Sequence, residues 1–338
     1  MLGVLLTLCV FVLALLEIGL RTFGSLEIHY YTGTKRPGVH HYPYGDVPIN
    51  SAGYPDEEYV VTDGKRHIGY VGDSVTYGVG TGYGYRIPDL LQAKLPQYDH
   101  WVFANVGDRL TEKTLVSQVN RFKLNSVIYL MNLNDIVPDS ESAESSTWIV
   151  SAQEGWFGRV DAALRGHSYL YTYLRLGIKN GLQRLGYEHH GMPAFELMPS
   201  AHGPVIDATA KRVADALKAA SGGQADFRSC VVILPYEMQV SADAARVYRG
   251  LGFSWEQGFE TGSTQQKLLE AFGRLGVTAF DSRDAFSGTD LKVGEAFVYN
   301  KGDKIDWNHP NRRGHALIAA WLETRPGIID RCYGPAHE

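Results

Sequence analysis

From residue 67 onward, short apolar segments alternate with segments of helical periodicity, and this alternation restricts the fold more than any other feature of the chain. Five apolar segments have the length and composition of buried strands: His67–Val71, Trp101–Val106, Ser126–Met131, Cys230–Pro235 and Val277–Phe280. Helical periodicity is present in Ile87–Leu95, Thr111–Phe122, Val205–Ala220, Thr264–Leu275 and Arg312–Leu322. Strands that alternate with helices predict an α/β fold, with a mostly parallel sheet covered by helices on both faces.

The composition is that of a folded globular protein. The 338 residues are enough for one large domain or two small ones. A hydrophobic fraction of 44% and a charged fraction of 20% exclude wholesale disorder and a fibrous repeat. The net charge is −5 and Lys/Arg-rich runs are absent, which argues against a nucleic-acid partner. Three cysteines without a C-x-x-C pair argue against a disulfide-dense scaffold and a zinc ribbon.

The N-terminal segment predicts a membrane anchor. Leu2–Leu16 is almost purely aliphatic, and Glu17 is the first charge. About 20 apolar residues span a hydrocarbon core of ~30 Å. A cleaved signal peptide and a buried core helix are the alternatives. A signal peptide is disfavoured because the run lacks a basic region before it and an A-x-A-like site near its end. Arg21, Lys35 and Arg36 follow the span, and the positive-inside rule would put them in the cytoplasm.

The chain divides into four predicted segments. A region rich in Tyr, Gly, Pro and His follows the anchor and predicts irregular chain. An insertion at about 138–204 interrupts the alternation of strands and helices, and it contains Trp148, Trp156 and a helix near Ser168–Leu185. We expect it to cover the active edge of the sheet. The segments are an anchor or uncleaved signal (1–21), an irregular lead-in (22–66), a domain (67–325) that contains the insertion, and a C-terminal tail (326–338).

Polar side chains follow three of the predicted strands and precede the last helix. Because ligands of open α/β sheets bind outside the carboxyl ends of the strands, these blocks are the candidate site. The blocks are Gly72-Asp73-Ser74, Asn105-Val106-Gly107-Asp108, Asn132-Leu133-Asn134-Asp135 and Asp306-Trp307-Asn308-His309. Each block alone is a weak signal, and their common position at the sheet edge makes the set specific.

These residue types are suited to nucleophilic acyl chemistry. Ser74 becomes a nucleophile when a base takes its proton, and the imidazole of His309 can be that base. Asp306 can hold the tautomer of the imidazole and stabilise the imidazolium. The backbone N–H groups of Ser74 and Gly107 and the side-chain amide of Asn134 can donate hydrogen bonds to an oxyanion.

The four blocks occur in the order found in SGNH, or GDSL-type, hydrolases. The name SGNH refers to one Ser, one Gly, one Asn and one His, which Ser74, Gly107, Asn134 and His309 match. The sequence resembles membrane-anchored bacterial members of this family over residues 50 to 325. The resemblance implies a flavodoxin-like three-layer α/β/α sandwich, and ester hydrolysis or acyl transfer without a metal or cofactor. One departure is Asn132, where the family usually has Gly.

The resemblance and the apparent anchor predict a membrane-tethered serine esterase or O-acyltransferase with an extracytoplasmic catalytic domain. A short acyl ester on a carbohydrate or cell-envelope polymer is the expected substrate. The alternative is a non-catalytic binding or scaffolding protein that retains the fold. We expect Arg109 to be solvated or to bind an anionic substrate. Cys230 is expected to be an inert core thiol, with a disulfide to Cys332 as the alternative for an exported domain.

Overall fold

The computed structural model describes residues 2–24, 27, 29–61, 64–138, 160, 164, 167–184, 195–301 and 305–335. Within them, β3 to β7 form one parallel sheet in the order β4-β3-β5-β6-β7, and β1 and β2 form an antiparallel hairpin. The predicted parallel sheet is confirmed. The strands are β1 (Gly38–Tyr42), β2 (Gly45–Ile49), β3 (Arg66–Gly72), β4 (Tyr98–Ala104), β5 (Ser126–Met131), β6 (Arg228–Ile233) and β7 (Thr278–Asp281).

Helices cover both faces of the sheet, as predicted. On one face α3 packs against α9, and on the other α6 packs against α4 and α8. The result is the expected three-layer α/β/α sandwich. The helices of the described residues are α1 (Leu2–Phe23), α2 (Ser74–Tyr77), α3 (Ile87–Lys94), α4 (Glu112–Phe122), α5 (Tyr169–Arg184), α6 (Gly203–Ser221), α7 (Ala242–Gly250), α8 (Ser263–Arg274) and α9 (Arg312–Thr324).

The central strand β5 shows why this sheet can be predicted from the sequence. Successive side chains of a strand point to opposite faces. Val127 and Tyr129 enter the core shared with α4, α6 and α8. Ile128 and Leu130 enter the core shared with α3 and α9. Because both faces are buried, β5 is a continuous apolar run rather than an alternating one.

The strand order determines where a ligand can bind. Starting from β3, the chain first adds β4 on one side and then returns to add β5, β6 and β7 on the other. This is the flavodoxin-like order, whose crevice opens at the carboxyl ends of the two strands on either side of the reversal. Here those strands are β3 and β5, which end at Gly72 and Met131.

The N-terminal helix α1 has the properties of a membrane span by length and composition. Gly3–Phe23 has a mean hydropathy of 2.5, and none of it is buried inside the protein. Near its end, the Glu17 carboxylate accepts hydrogen bonds from Ser168 Oγ at 2.9 Å and from the N–H group of Leu170 at 2.8 Å. Glu17 therefore caps the first turn of α5, where unpaired N–H groups and the helix dipole favour a carboxylate.

Much of the predicted insertion, including Trp148 and Trp156, lies outside the described residues. Helix α5 belongs to the part of the insertion that the structure describes, and its bounds agree with the predicted helix near Ser168–Leu185. The lead-in contains the β1–β2 hairpin, which its Gly- and Pro-rich composition did not predict. The division into four segments stays a prediction.

The C-terminal tail is joined to the sheet by a disulfide. Cys332 follows α9 and bonds Cys230 of β6, at a sequence separation of 102. The expected free core thiol at Cys230 is wrong, and the alternative considered for an exported domain is correct. Arg66 Nε also donates to the carbonyl of Tyr333 at 2.8 Å, so the tail contacts the amino end of β3.

Candidate active site

Ser74 lies at the carboxyl end of β3, where the chain turns directly into the short helix α2. Asp73 caps this helix, because its Oδ1 accepts from the N–H group of Val75 at 3.1 Å. Gly78 ends the helix with φ +97°, in the left-handed region that favours glycine. The turn holds Ser74 at the sheet edge with 7% of its surface exposed.

His309 joins Ser74 to Asp306. Ser74 Oγ lies 2.7 Å from His309 Nε2, and His309 Nδ1 lies 2.6 Å from Asp306 Oδ2. With the Asp306 carboxylate accepting from Nδ1–H, Nε2 is free to accept the hydroxyl proton of Ser74. The three predicted residues therefore form one hydrogen-bonded chain, although Ser74 and His309 are 235 residues apart.

The loop from Asp306 to His309 closes on itself. Asp306 Oδ1 accepts from the N–H groups of Asn308 and His309, at 3.0 and 3.1 Å. The His309 carbonyl accepts from the N–H group of Val298 at 2.8 Å. Asn311 then caps α9, as its Oδ1 accepts from Arg313 N–H at 2.9 Å. A carboxylate three residues before the histidine can reach the ring because the loop is fixed at both ends.

A second buried carboxyl supports this loop and was not recognised from the sequence. Tyr248 Oη lies within hydrogen-bonding distance of Glu237 Oε2 and at 2.8 Å from the Asp306 carbonyl oxygen. The Tyr248 hydroxyl has one proton, so both bonds form only when Glu237 is protonated. Burial raises the pKa of Glu237 to about 7, against the lowering effect of Tyr248 and of the Gly294 N–H group.

We expect Glu237→Gln to remove a pH dependence of stability. The pKa of Glu237 in the folded protein lies above its ordinary value of 4.5. The folded form therefore retains a proton that the unfolded form releases, and stability is lost as the pH rises from about 4.5 through 7. The loss amounts to roughly 3 kcal/mol. Glutamine imitates the protonated acid. Urea unfolding at pH 4.5 to 8.5 measures the free energy of unfolding of the wild type and of Glu237→Gln. If this free energy changes with pH in the same way in both proteins, the expectation is contradicted.

The predicted oxyanion donors lie at the same edge of the sheet. Gly107 is exposed in the turn after β4, with φ +79°. Asn134 is half-buried in the 3-10 turn Leu133–Asp135 after β5, and its side-chain amide hydrogen-bonds Asp73, which precedes Ser74. Asn132, where the resemblance predicts Gly, has φ −81° and ψ 147°, which any residue adopts. Its side chain therefore fits this turn without backbone strain.

Two further buried carboxyls, Asp73 and Asp135, follow β3 and β5. Burial raises the pKa of Asp73, while the nearby His309 lowers it. Burial also raises the pKa of Asp135, and the charge of Asp73 raises it further. Two neighbouring buried carboxyls do not ionise together easily. We infer that Asp73 organises the turn through Val75, and that Asp306 is the carboxylate that faces the imidazole.

We expect Asn134→Ala to lower kcat by about 10², with little change in KM, because Asn134 is a predicted oxyanion donor and the loss of one such donor costs about that factor. Steady-state hydrolysis of p-nitrophenyl acetate measures the two constants. Asn120→Ala, at an exposed position of α4, is the control. A near-normal kcat would exclude Asn134, and Asn132 would be the next candidate. No acceptor for the Asn132 side-chain N–H₂ is found among the described residues.

The lead-in contributes aromatic side chains to the site. The Tyr31 ring lies 5.7 Å from the His309 ring, centroid to centroid, at 41°. Tyr30 packs beside it, and burial raises the pKa of Tyr30, with smaller contributions from Glu27 and Asp306. Sequence analysis missed these neighbours of His309. The Tyr-rich composition of the lead-in was the available signal.

The described residues contain no group of three or more His, Cys, Asp or Glu side chains arranged to hold a metal ion.

No protein-family model and no curated protein sequence matches this chain. Among solved structures, it is similar to a member of the lipolytic G-D-S-L family from Veillonella parvula, with 14% identity, a TM-score of 0.39 and coverage of 78% of this chain and 99% of that chain. It is similar to the periplasmic domain of a lipopolysaccharide acetyltransferase from Salmonella ser. Paratyphi A, with 9% identity, a TM-score of 0.40 and coverage of 78% and 85%. It is also similar to a family two carbohydrate esterase from Clostridium thermocellum, with 11% identity, a TM-score of 0.40 and coverage of 80% and 65%. Likenesses at this level do not establish a function, which has to come from the geometry of the site.

Proposed function

We propose that this protein is a serine esterase or O-acyltransferase that cleaves a short acyl ester through an acyl-enzyme on Ser74. The observation that carries the proposal is the chain of hydrogen bonds from Ser74 through His309 to Asp306, at 2.7 and 2.6 Å. These distances fall in the range expected of a nucleophile, a base and a group that orients the base.

In the proposed reaction, Ser74 Oγ attacks the ester carbonyl carbon while His309 Nε2 takes the hydroxyl proton. The carbonyl oxygen becomes an oxyanion, which accepts hydrogen bonds from the N–H groups of Ser74 and Gly107 and from the Asn134 amide. The bond to the alcohol breaks as His309 returns the proton to the leaving oxygen. Water or an acceptor hydroxyl then attacks the acyl-enzyme, again with His309 as base, and Ser74 is released.

The proposed substrate is a short acyl ester of a carbohydrate or cell-envelope polymer. The resemblance of the four sequence blocks to SGNH hydrolases and the apolar helix α1 support this class. A cofactor is not required by the proposed steps, since each proton and each acyl group is carried by Ser74, His309 or the substrate.

A fluorophosphonate probe tests the proposal, because it reacts with an activated serine. We expect one adduct, and peptide mass spectrometry should locate it at Ser74. The Ser74→Ala protein should remain unlabelled. Labelled preparations are then screened against acetylated sugars, with and without an acceptor alcohol, to separate hydrolysis from transfer. An intact protein that takes no label would favour the non-catalytic binding alternative.

We further propose that α1 is retained as an anchor and that the catalytic domain is extracytoplasmic. The contacts of Glu17 with Ser168 and Leu170 support retention, since cleavage after α1 would remove the cap of α5. The Cys230–Cys332 disulfide supports an oxidising compartment. Protease added to intact spheroplasts should digest the domain. A domain that stays protected while a known external protein is digested would contradict this location.

A further inference from the structure

A polar groove begins at the carboxyl ends of β3 and β4 and continues along α4. It consists of two adjoining cavities of about 150 and 350 Å³, which share Tyr54, Thr114 and Gln118 as lining residues. Together they reach the size of ordinary ligand sites, about 300–1,000 Å³. Gly72 and Ala104, paired last residues of their strands, line its inner end. We call this feature the α4 groove.

The inner end of the α4 groove lies close to the candidate active site along the chain. Gly72 precedes Ser74 by two residues, and Asn105 precedes Gly107 by two. Both Gly72 and Asn105 line the smaller cavity. A molecule bound in the groove would therefore approach the loops that carry the nucleophile and one proposed oxyanion donor.

Two buried carbonyl oxygens of the groove have no hydrogen-bond donor within the described part of the chain: Asn105 Oδ1 and Gln118 Oε1. Asn105 is 8% exposed and Gln118 is 5% exposed. The Asn105 Nδ2 atom donates to the Asp108 carboxylate at 3.0 Å, and because a carboxylate only accepts, this bond fixes Oδ1 as the free acceptor. Gln118 Nε2 donates to Tyr54 Oη at 2.9 Å.

Unpaired buried acceptors are costly, so they favour a ligand that brings donors. Hydroxyl groups are such donors, and a sugar carries several of them. Tyr54, half-buried in the groove wall, adds a phenol hydroxyl beside Gln118. The inner groove therefore matches a polyhydroxylated ligand better than an acyl chain, which offers no donor to either oxygen.

The charges of the groove select among polyhydroxylated ligands. Lys35 pairs with Asp108, the carboxylate of the lining, at 3.1 Å. Arg109, Lys113 and Arg121 also line it and are exposed. Three cations beyond the Lys35–Asp108 pair stand out on a chain whose net charge is −5. This excess attracts a polyanion along the groove.

From these observations we propose that the α4 groove binds an acidic oligosaccharide, a sugar chain that carries carboxylate groups, and leads it to Ser74. This deepens the proposed function and rests on it, because it names the polymer whose ester would be cleaved. Hydroxyls of one sugar donate to Asn105 and Gln118, and carboxylates of the following sugars meet Lys113 and Arg121. Arg109, for which sequence analysis left two interpretations open, then contacts the anionic substrate.

Binding to the full-length Ser74→Ala protein tests the proposal without turnover. The probes are tetragalacturonic acid and neutral xylotetraose, titrated calorimetrically at low and moderate salt. We expect the acidic probe to bind at least tenfold more tightly than the neutral one, and its affinity to fall with salt. Equal affinity for the two probes would overturn the proposed selection by charge. If neither probe binds, the proposal that the α4 groove is a binding site is overturned.

Two variants locate the binding. Lys113→Gln/Arg121→Gln changes exposed residues only, and we expect it to weaken the acidic probe about tenfold. Gln118→Leu removes one buried acceptor, and we expect both probes to weaken. The controls are Arg274→Gln and Gln266→Leu at exposed positions of α8, and both should bind as the parent does. Binding that survives both groove variants would overturn the assignment, and thermal unfolding checks that each variant is folded.

Failure of this proposal is distinguishable from failure of the proposed function. If the protein takes the fluorophosphonate label at Ser74 and does not bind the acidic probe, only the proposed role of the α4 groove is contradicted. A protein that binds the probe through Lys113 and Arg121 and takes no label contradicts the esterase mechanism alone.

Discussion

Ser74→Ala and His309→Ala are each expected to lower kcat/KM for an ester such as p-nitrophenyl acetate by more than about 10⁴, and the double variant should be hardly worse than either one. The hydrogen bond between Ser74 Oγ and His309 Nε2 makes nucleophile and base one unit, so either loss removes the same step. The loss of kcat/KM in Asp306→Ala should be smaller by roughly two orders of magnitude. Asp306 orients the imidazole and stabilises its positive charge, but it does not contact the ester.

Steady-state kinetics from pH 5 to 9 on the wild type and the three single variants measures these effects. Ser221→Ala at the end of α6 and His41→Ala at an exposed position of β1 are the controls. Fluorophosphonate labelling supplies a second readout, because His309→Ala should also slow the modification of Ser74. Turnover that survives Ser74→Ala, or a pH profile unaffected by His309→Ala, would contradict the mechanism.

Loss of the Cys230–Cys332 disulfide is expected to lower the free energy of unfolding by about 4–5 kcal/mol, the value for a closed loop of ~100 residues. The bond spans 102 residues, from β6 to the tail beyond α9, so its loss frees a long loop in the unfolded chain. Both cysteines are fully buried, and Cys230→Ala/Cys332→Ala would leave a small cavity that adds to the cost.

Urea unfolding of the wild type with and without reductant, and of the double variant, measures this stabilisation. Cys9→Ala is the control, because Cys9 lies on α1 with an exposed free thiol. Thiol alkylation followed by mass spectrometry should modify Cys9 alone before reduction. An unchanged free energy of unfolding after both thiols have been freed would contradict the expectation.

The cysteine pairing illustrates what sequence reasoning lacked. Residue type and spacing assign Cys230 to a buried strand, and this is correct. They contain no information on what lies opposite it. Cys332 comes beside it because the π-helical turn Ile329–Tyr333 returns the chain to the sheet, where the Tyr333 carbonyl accepts from Arg66. That return depends on contacts across the whole sheet rather than on local sequence.

The amino-acid sequence by itself determined the order of strands and helices, because burial on one face or two leaves a local pattern of apolar residues. It also determined the candidate site, because parallel strands end at one edge and Ser74, Gly107 and Asn134 follow three of them. These are properties of segments of four to twenty residues, which periodicity can reveal.

Only the tertiary structure decided how the site is held together. The reach of Asp306 to His309 depends on the bonds to Val298 and Asn308, and the support of that loop depends on the pair Glu237 and Tyr248. No periodic pattern in the sequence links the residues of these contacts. The orientation of each side chain is determined by the packing of its neighbours. The α4 groove is of the same kind: the side chains of Asn105 and Gln118 become neighbours in one cavity only when α4 packs beside the ends of β3 and β4.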